Sequence, residues 1–242
     1  MRAMDAFILF PLLVLSVAAS GFTWSRLVEG AGGAADLWQR MRRWRVGARW
    51  YFAALLIPPS AILGVLGVLS AFSGSFAPGF FGWGVLFGLF PGIFEEIGWT
   101  GYLLPQLLRR YTPLASAALL GVMWGCWHLP VMNFLGAAGP HGAAMWPFFL
   151  AFIAALTALR VLMTWLYVHT ESVVPLQLMH ASSTGSLVLF SPPHISAARE
   201  AFWYGCYAVA LGAAVAVVLC FFGKQLRRSP ARVEAATGTI NI

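Results

Sequence analysis

The feature that most constrains this chain is a series of apolar stretches, each close to the length of a helix that crosses a bilayer. About 20 apolar residues span the hydrocarbon core as a helix. Such stretches occupy residues 6–24, 50–72, 80–108, 114–135, 146–168, 173–190 and 201–223. Only 10% of the 242 residues are charged, against about a quarter in ordinary globular chains, so most of the surface must face lipid. We predict an all-α, polytopic transmembrane helical bundle of about seven spans.

Three of these stretches depart from a simple span. The third is long, so part of it is expected to tilt, break or extend past the bilayer, and the sixth is short and unusually polar. The first resembles a secretory signal at Ala18-Ala19-Ser20, but its N-terminal flank carries only Arg2 against Asp5, whereas six arginines follow it. We therefore interpret the first stretch as a retained helix.

The basic residues predict the orientation of the bundle. They fall in three stretches, namely the first loop and its ends (Arg26, Arg40, Arg42, Arg43, Arg45 and Arg49), the third loop (Arg109 and Arg110) and the tail (Lys224, Arg227, Arg228 and Arg232). Seven alternating spans put all three stretches on one side, which the positive-inside rule assigns to the cytoplasm. We predict an external N-terminus, a cytoplasmic C-terminus, a single transmembrane domain over residues 1–228, and a disordered cytoplasmic tail over 229–242. The net charge of +7 then suits an anionic membrane surface, and no nucleic-acid partner is expected.

Charged and titratable side chains interrupt the apolar stretches: Glu95 and Glu96 in the third, His128 in the fourth, Arg160 in the fifth, and His180 with Thr184 in the sixth. Inserting a charged side chain at the centre of a spanning helix costs roughly 2.5–3.5 kcal/mol of free energy, so we expect each of these residues to have a structural or functional role. At about 1.5 Å of rise per residue, Glu95, His128 and Thr184 lie at similar heights above the cytoplasmic side, and His180 comes out lower. We expect these helices to bring their polar side chains into one layer.

Such a layer has several chemical interpretations. A carboxylate beside an imidazole in a low-dielectric cavity can act as a general base for water, while a second imidazole and a hydroxyl can donate to an oxyanion. Alternatively, a glutamate of this layer is protonated and only joins helices through hydrogen bonds. The same groups could also carry protons in a proton-coupled transporter, although the sequence shows no inverted repeat of the kind common in transporters. Zinc between Glu and His ligands is a further alternative, but there is no HExxH motif, and we expect no cofactor.

Three ordered motifs carry a resemblance to a known family. Residues 95–105 read Glu-Glu-Ile-Gly-Trp-Thr-Gly-Tyr-Leu-Leu-Pro, residues 124–130 read Trp-Gly-Cys-Trp-His-Leu-Pro, and residues 180–184 read His-Ala-Ser-Ser-Thr. These three segments resemble the three motifs of the CPBP family. The first family motif is Glu-Glu-x-x-x-Arg followed by Gly-Tyr/Phe-Leu-Leu-Pro. The second is an aromatic residue, three variable residues and His followed by Leu-Pro, and the third is His-x-x-x-Asn. This family comprises the type II CAAX prenyl endopeptidases and their lysostaphin-resistance-like bacterial relatives. The similarity covers roughly residues 38–190.

The resemblance implies an intramembrane glutamic protease, multi-pass in the cell membrane and most simply in a bacterial plasma membrane. It implies that Glu95 and His128 activate the attacking water, while His180 and Thr184 stabilise the oxyanion. Glu96 would either pack helices or orient the other groups. The expected partner is a membrane-associated protein or peptide substrate; substrate identity and oligomeric state are not indicated.

Two positions depart from the family pattern. Thr100 replaces an Arg that would pair with Glu96 four residues earlier, so Glu96 must be protonated, hydrated or paired elsewhere, and Arg160 is the candidate partner. Thr184 replaces an Asn with a shorter donor, and losing one oxyanion donor costs other enzymes roughly 10²–10³ in rate. These departures leave a catalytically inactive relative, acting as a membrane binding or scaffold protein, as the alternative.

The remaining aromatic and imidazole groups receive structural interpretations. We interpret Trp124 as a lipid-facing or core aromatic residue. His141, His169 and His194 fall in loops or at span ends, where we expect them to be solvated.

Overall fold

A computed structural model describes residues 3–227 of the chain, with side chains from residue 8 onward. Within this range the secondary structure is helical throughout, and no strand is present, which confirms the predicted fold class. The helices are α1 (Ala3–Arg42), α2 (Ala48–Phe72), α3 (Gly84–Glu96), a π-helical segment (Ile97–Leu103), α4 (Leu104–Leu108), α5 (Pro113–Trp127), α6 (Met145–Thr170), α7 (Val174–Leu189) and α8 (Ala197–Phe222). The predicted tail, residues 229–242, lies outside the described residues.

Among the described residues, four helical stretches are long and apolar enough to cross a membrane: Ile8–Arg42, Ala48–Phe72, Gly142–Thr170 and Ala197–Gln225. Helix α5 is a shorter apolar helix of 15 residues. Large apolar side chains on the outer surface are exposed, such as Phe72 (85%) and Val209 (73%), as expected for lipid-facing helices. The total of seven spans stays a prediction.

The predicted first loop is largely helical. Helix α1 continues through Arg26 and Arg40 to Arg42, and the connection to α2 is only residues 43–47. Within α1 the backbone breaks at Gly30, where φ is 68° and ψ is −157°. A positive φ carries no steric cost for glycine, so Gly30 lets the chain change direction within an otherwise helical stretch. The expectation of a loop from residue 25 onward was therefore wrong.

The third and fourth stretches also differ from regular spans. Helix α3 runs into the π-helical segment and then into α4, so residues 84–108 remain helical but change their hydrogen-bond pattern after Glu96. Helix α5 ends at Trp127, and a 3₁₀ turn covers Leu129–Phe134. The proline at position 130 removes a backbone donor and cannot continue an α-helix, so the predicted span to residue 135 was too long.

The three basic stretches meet at one end of the bundle. Arg40, Arg43, Arg109 and Arg227 line a single cavity of about 340 Å³. Arg43 forms an ion pair with Glu171 at 3.0 Å, and Arg109 forms one with Glu29 at 2.8 Å. The sequence was therefore right to place these arginines on a common side. That this side faces the cytoplasm stays a prediction.

Small residues bring α3 and α7 into close contact. A Cβ at Gly88 would lie 2.2 Å from the carbonyl oxygen of Ala181 and 2.5 Å from the amide nitrogen of Gly185. Gly92 faces the same turn, since its Cβ would lie 2.7 Å from the amide nitrogen of Ala181. Helices approach this closely only where side chains are absent. The glycines of α3 thus set its distance to the helix that carries His180.

The Gly88→Ala variant is expected to be less stable than the wild type, because the added methyl group collides with the backbone of α7. Overpacking of this kind costs about 1–3 kcal/mol. Gly64→Ala in α2 is the matched control, since a Cβ at Gly64 meets nothing within 4 Å. Thermal unfolding of the two purified variants in the same detergent measures the effect, and equal midpoints would show that the α3–α7 approach is not tight.

Candidate active site

The polar side chains predicted from the sequence converge between α3, α5, α6 and α7. Glu95 and Glu96 end α3, immediately before the π-helical segment, and His128 caps the C-terminus of α5. His180 lies in the second turn of α7, and Arg160 in the central part of α6. His128 is half-buried, whereas the other four side chains are at most 2% exposed.

Glu96 is held by donors from three helical segments. Arg160 donates from Nη1 to Glu96 Oε2 at 2.8 Å and from Nη2 to Oε1 at 2.9 Å, a two-pronged ion pair. His180 Nδ1 lies 2.8 Å from Glu96 Oε1. Because a carboxylate paired with a guanidinium can only accept, His180 Nδ1 must be the donor. The hypothesis that Arg160 is the partner of Glu96 is confirmed.

Thr100 completes this network in place of the expected arginine. Its Oγ1 donates to Glu96 Oε2 at 2.5 Å and accepts from Arg160 Nη1 at 3.2 Å. The positive charge that the family pattern places at position 100 is supplied here by α6. The first departure from the family pattern is thus compensated within the buried layer.

Trp124 connects the remaining groups. Its Nε1 donates to Glu95 Oε2 at 3.0 Å, and its backbone carbonyl accepts from His128 Nδ1 at 2.8 Å. Its ring lies edge-on to the His180 imidazole, with centroids 4.7 Å apart, and the guanidinium carbon of Arg160 lies 4.3 Å from its centre. Trp124 is a buried core aromatic residue, one of the two interpretations that the sequence allowed, and it also binds Glu95 and His128, a role that the sequence analysis did not assign to it. Its four-residue spacing to His128 was the available signal.

These hydrogen bonds leave particular atoms unoccupied. His128 Nδ1 gives its proton to a carbonyl, so Nε2 of the neutral ring is an unprotonated acceptor. No hydrogen bond among the described residues involves Glu95 Oε1. The site therefore combines a carboxylate oxygen and an imidazole nitrogen that are both free to accept a proton.

Thr184 is not part of this network. It lies one turn beyond His180 on α7, is half-buried, and its hydroxyl makes no hydrogen bond to another described residue. Its predicted role at an oxyanion stays a prediction.

The other histidines follow the sequence interpretation only in part. His194 is exposed, as expected, and His169 is half-buried with Nδ1 2.8 Å from the carbonyl oxygen of Trp165. His141 is only 2% exposed, and its Nε2 lies 3.0 Å from Glu200 Oε2. The expectation that His141 is solvated was wrong. Nothing in the sequence indicated that Glu200 is buried. It immediately precedes an apolar stretch, a position typical of a charged residue at the membrane interface.

The described side chains contain no cluster suited to a metal ion. Over the part of the chain with described side chains, no three His, Cys, Asp or Glu residues are grouped so that they could hold a metal ion. The expectation of a metal-independent site stays a prediction.

Comparison with known proteins identifies the segment that contains this site. Residues 77–186 match the family model described as Type II CAAX prenyl endopeptidase Rce1-like. Through this segment, the chain is similar to the CPBP family. The matched segment contains Glu95, Glu96, His128, Arg160 and His180. Together with the four apolar helices, this similarity identifies the chain as a multi-pass membrane protein.

A curated relative is similar over a shorter range. The chain is 28% identical to CAAX prenyl protease 2 of Methanococcus maripaludis over 81 residues, which is 32% of this chain. The aligned part covers about 29% of the length of that relative. The similarity is therefore concentrated in one segment rather than spread over both proteins.

Removal of Arg160 is expected to destabilise the protein strongly, because it leaves the Glu96 carboxylate buried without its cation. Breaking a buried pair from one side costs about 3–5 kcal/mol. The double variant Arg160→Ala with Thr100→Arg should recover part of this loss, since an arginine at position 100 stands four residues from Glu96. Thermal unfolding and yield of folded protein are the measurements.

The matched control for this prediction is Arg110→Ala, which removes an exposed arginine at the basic end of the bundle. An Arg160→Ala variant that inserts and unfolds like the Arg110→Ala control would show that the pair does not hold the buried layer together.

Proposed function

We propose that the protein is an intramembrane endopeptidase that hydrolyses a peptide bond of a membrane-associated protein, using a water molecule activated by Glu95 and His128. One observation carries the proposal. Trp124 holds Glu95 through its indole and His128 through its carbonyl, and both groups keep one proton-accepting atom unoccupied. The family match over residues 77–186 supports the same reaction class.

In the proposed first step, water attacks the scissile carbonyl while its proton passes to Glu95 Oε1 or His128 Nε2. General-base catalysis of this kind contributes typically about 10²–10⁴ in rate. The new C–O bond converts the carbonyl into a tetrahedral oxyanion. The proton taken from water then passes to the leaving nitrogen as the C–N bond breaks, so no covalent bond to the enzyme forms.

Glu96 serves this reaction without acting as the base. Both of its oxygens accept hydrogen bonds from Arg160, Thr100 and His180, so neither is available to a water molecule. We assign Glu96 to holding the ring of His180 in place. The sequence left two roles open for Glu96, packing and orientation, and we propose orientation as its role in the reaction.

His180 and Thr184 are proposed to stabilise the oxyanion. Since His180 Nδ1 donates to Glu96, Nε2 of the neutral ring is an acceptor, and it becomes a donor only when the ring is doubly protonated. The Thr184 hydroxyl, one turn along α7, is the second proposed donor.

The substrate proposal rests on the comparisons. The matched family and the relative are both named for CAAX prenyl substrates. We therefore propose the C-terminal segment of a lipid-anchored protein as the first substrate class to test. The alternative, an inactive relative that binds or scaffolds membrane proteins, is favoured by Thr184, which replaces the family's asparagine and has no hydrogen-bond partner among the described residues.

Glu95→Gln and His128→Ala are each expected to abolish cleavage, with a loss of at least about 10² in kcat, because each removes a proton acceptor. The assay uses purified protein in liposomes, a farnesylated fluorogenic peptide ending in a CAAX sequence, and a fragment analysis of membrane proteins from cells that express each variant. Chelator treatment should leave the wild-type rate unchanged.

The controls for this assay are Glu171→Gln and His194→Ala, which change an exposed residue of the same type. If the wild type produces no fragment that the Glu95→Gln variant lacks, the inactive-relative alternative holds. Loss of activity with the chelator would indicate a metal-dependent mechanism instead.

Thr184→Asn is expected to raise kcat, because the longer amide is a better oxyanion donor than the threonine hydroxyl. The gain is bounded by the roughly 10²–10³ that one oxyanion donor contributes. Thr184→Val, which keeps the shape of the side chain but lacks the hydroxyl, should lower kcat. Equal rates for wild type, Asn and Val variants would show that position 184 does not face the reacting carbonyl.

A further inference from the structure

A second buried carboxylate, Glu200, binds the loop that follows His128. Glu200 lies in the first turn of α8 and has no exposed surface. Its Oε1 accepts from the backbone amide of Ala137 at 2.7 Å, and its Oε2 accepts from that of Ala138 at 2.9 Å. Its third partner is His141, whose Nε2 lies 3.0 Å from Oε2. One side chain of α8 thus holds three groups of the α5–α6 loop.

The loop backbone is shaped to receive this carboxylate. Gly136 has φ of 80°, a conformation that residues with a Cβ rarely adopt. A Cβ at this position would lie 2.6 Å from Glu200 Oε2. The glycine therefore allows both the turn and the close approach of the carboxylate to the consecutive amides of Ala137 and Ala138.

The anchored loop is connected to His128 by two routes. Along the chain, residues 129–136, which include the 3₁₀ turn Leu129–Phe134, separate His128 from the first anchored amide. Through space, His141 stacks on Phe148 with centroids 3.8 Å apart, and Phe148 lies 6.1 Å from Phe152. Phe152 in turn contacts the His128 imidazole, at a centroid distance of 5.1 Å.

We propose that Glu200 is a positioning residue for His128. Glu200 holds the α5–α6 loop in place, and this determines where the chain leaves α5 at His128. The loop also holds the ring of His141 against Phe148, which contacts Phe152. The His128 imidazole packs against the last of these rings. The effect of Glu200 on catalysis rests on the function proposed above, whereas its effect on the His128 ring does not. Small displacements of a catalytic group, of about 1 Å, can reduce a rate about 10²-fold.

The test is the Glu200→Gln variant in the full-length, membrane-reconstituted protein. The glutamine amide keeps the size of the side chain but places a donor against one of the two loop amides, so the anchor is lost. Hydrogen–deuterium exchange of residues 136–141 should become faster. Diethyl pyrocarbonate, which modifies accessible imidazole nitrogens, should modify His128 several-fold faster, as measured by peptide mass spectrometry.

Two control variants separate positioning from general destabilisation. Arg199→Gln changes the charge of the neighbouring, exposed residue, whose partner is Ser75. Tyr207→Phe removes a different buried hydrogen bond of α8, the one to Ser183 at 3.1 Å. Neither should change the modification rate of His128. Exchange in residues 48–72 of α2 should stay constant in all variants.

A second variant keeps the proposal testable if Glu200→Gln does not fold. Phe148→Leu keeps the carboxylate and its hydrogen-bonding groups in the loop but removes the ring that connects His141 to Phe152. It should increase the modification of His128 without increasing the exchange of residues 136–141.

The outcomes are distinguishable. If the wild type cleaves the farnesylated peptide, Glu200→Gln should lower kcat by up to about 10²-fold with little change in KM. Faster exchange of the loop with unchanged modification of His128 would overturn the proposal, since Glu200 would then only order the loop. If no variant cleaves any substrate, the proposed function fails, and the modification rate of His128 still decides the positioning role.

Discussion

The buried ion pair between Glu96 and Arg160 is the interaction on which the rest of the site depends. It joins α3 to α6 through two side chains that have no exposed surface, and the remaining lone pairs of the carboxylate accept hydrogen bonds from Thr100 and His180. A charge in this environment is tolerated only when it is fully paired. The same pair therefore fixes the height at which three helices meet, and with it the position of the imidazole on α7.

Two adjacent glutamates acquire different properties from this arrangement. Glu96 has both oxygens occupied by donors, whereas Glu95 accepts one indole N–H and keeps an oxygen free. Neighbouring carboxyl groups that differ in this way commonly divide structural and chemical roles between them. The two residues differ because adjacent positions on a helix face different neighbours. Glu96 faces α6 and α7, whereas Glu95 faces α5.

The sequence predicted the membrane bundle and most of the polar layer, because charges inside apolar stretches are costly and therefore conspicuous. It also predicted the partnership of Glu96 with Arg160 from the missing charge at position 100. It did not predict Glu200 and His141, since a residue at the edge of an apolar stretch looks solvated whether or not a loop folds over it. The sequence also did not predict that α1 continues as a helix past Arg26. Charged residues at a membrane boundary are equally compatible with a loop and with a helix.

The π-helical segment after Glu96 affects how the helices of the bundle pack. Its i→i+5 hydrogen bonds change the angular relation between the side chains before and after it, without interrupting the rod. The upstream half of the rod packs on α7 through Gly88 and Gly92, while the π segment packs on α1, where Gly98 approaches the Val17 backbone. One continuous helix can thus fit two sets of neighbours that a uniform α-helix would have to satisfy with a single face.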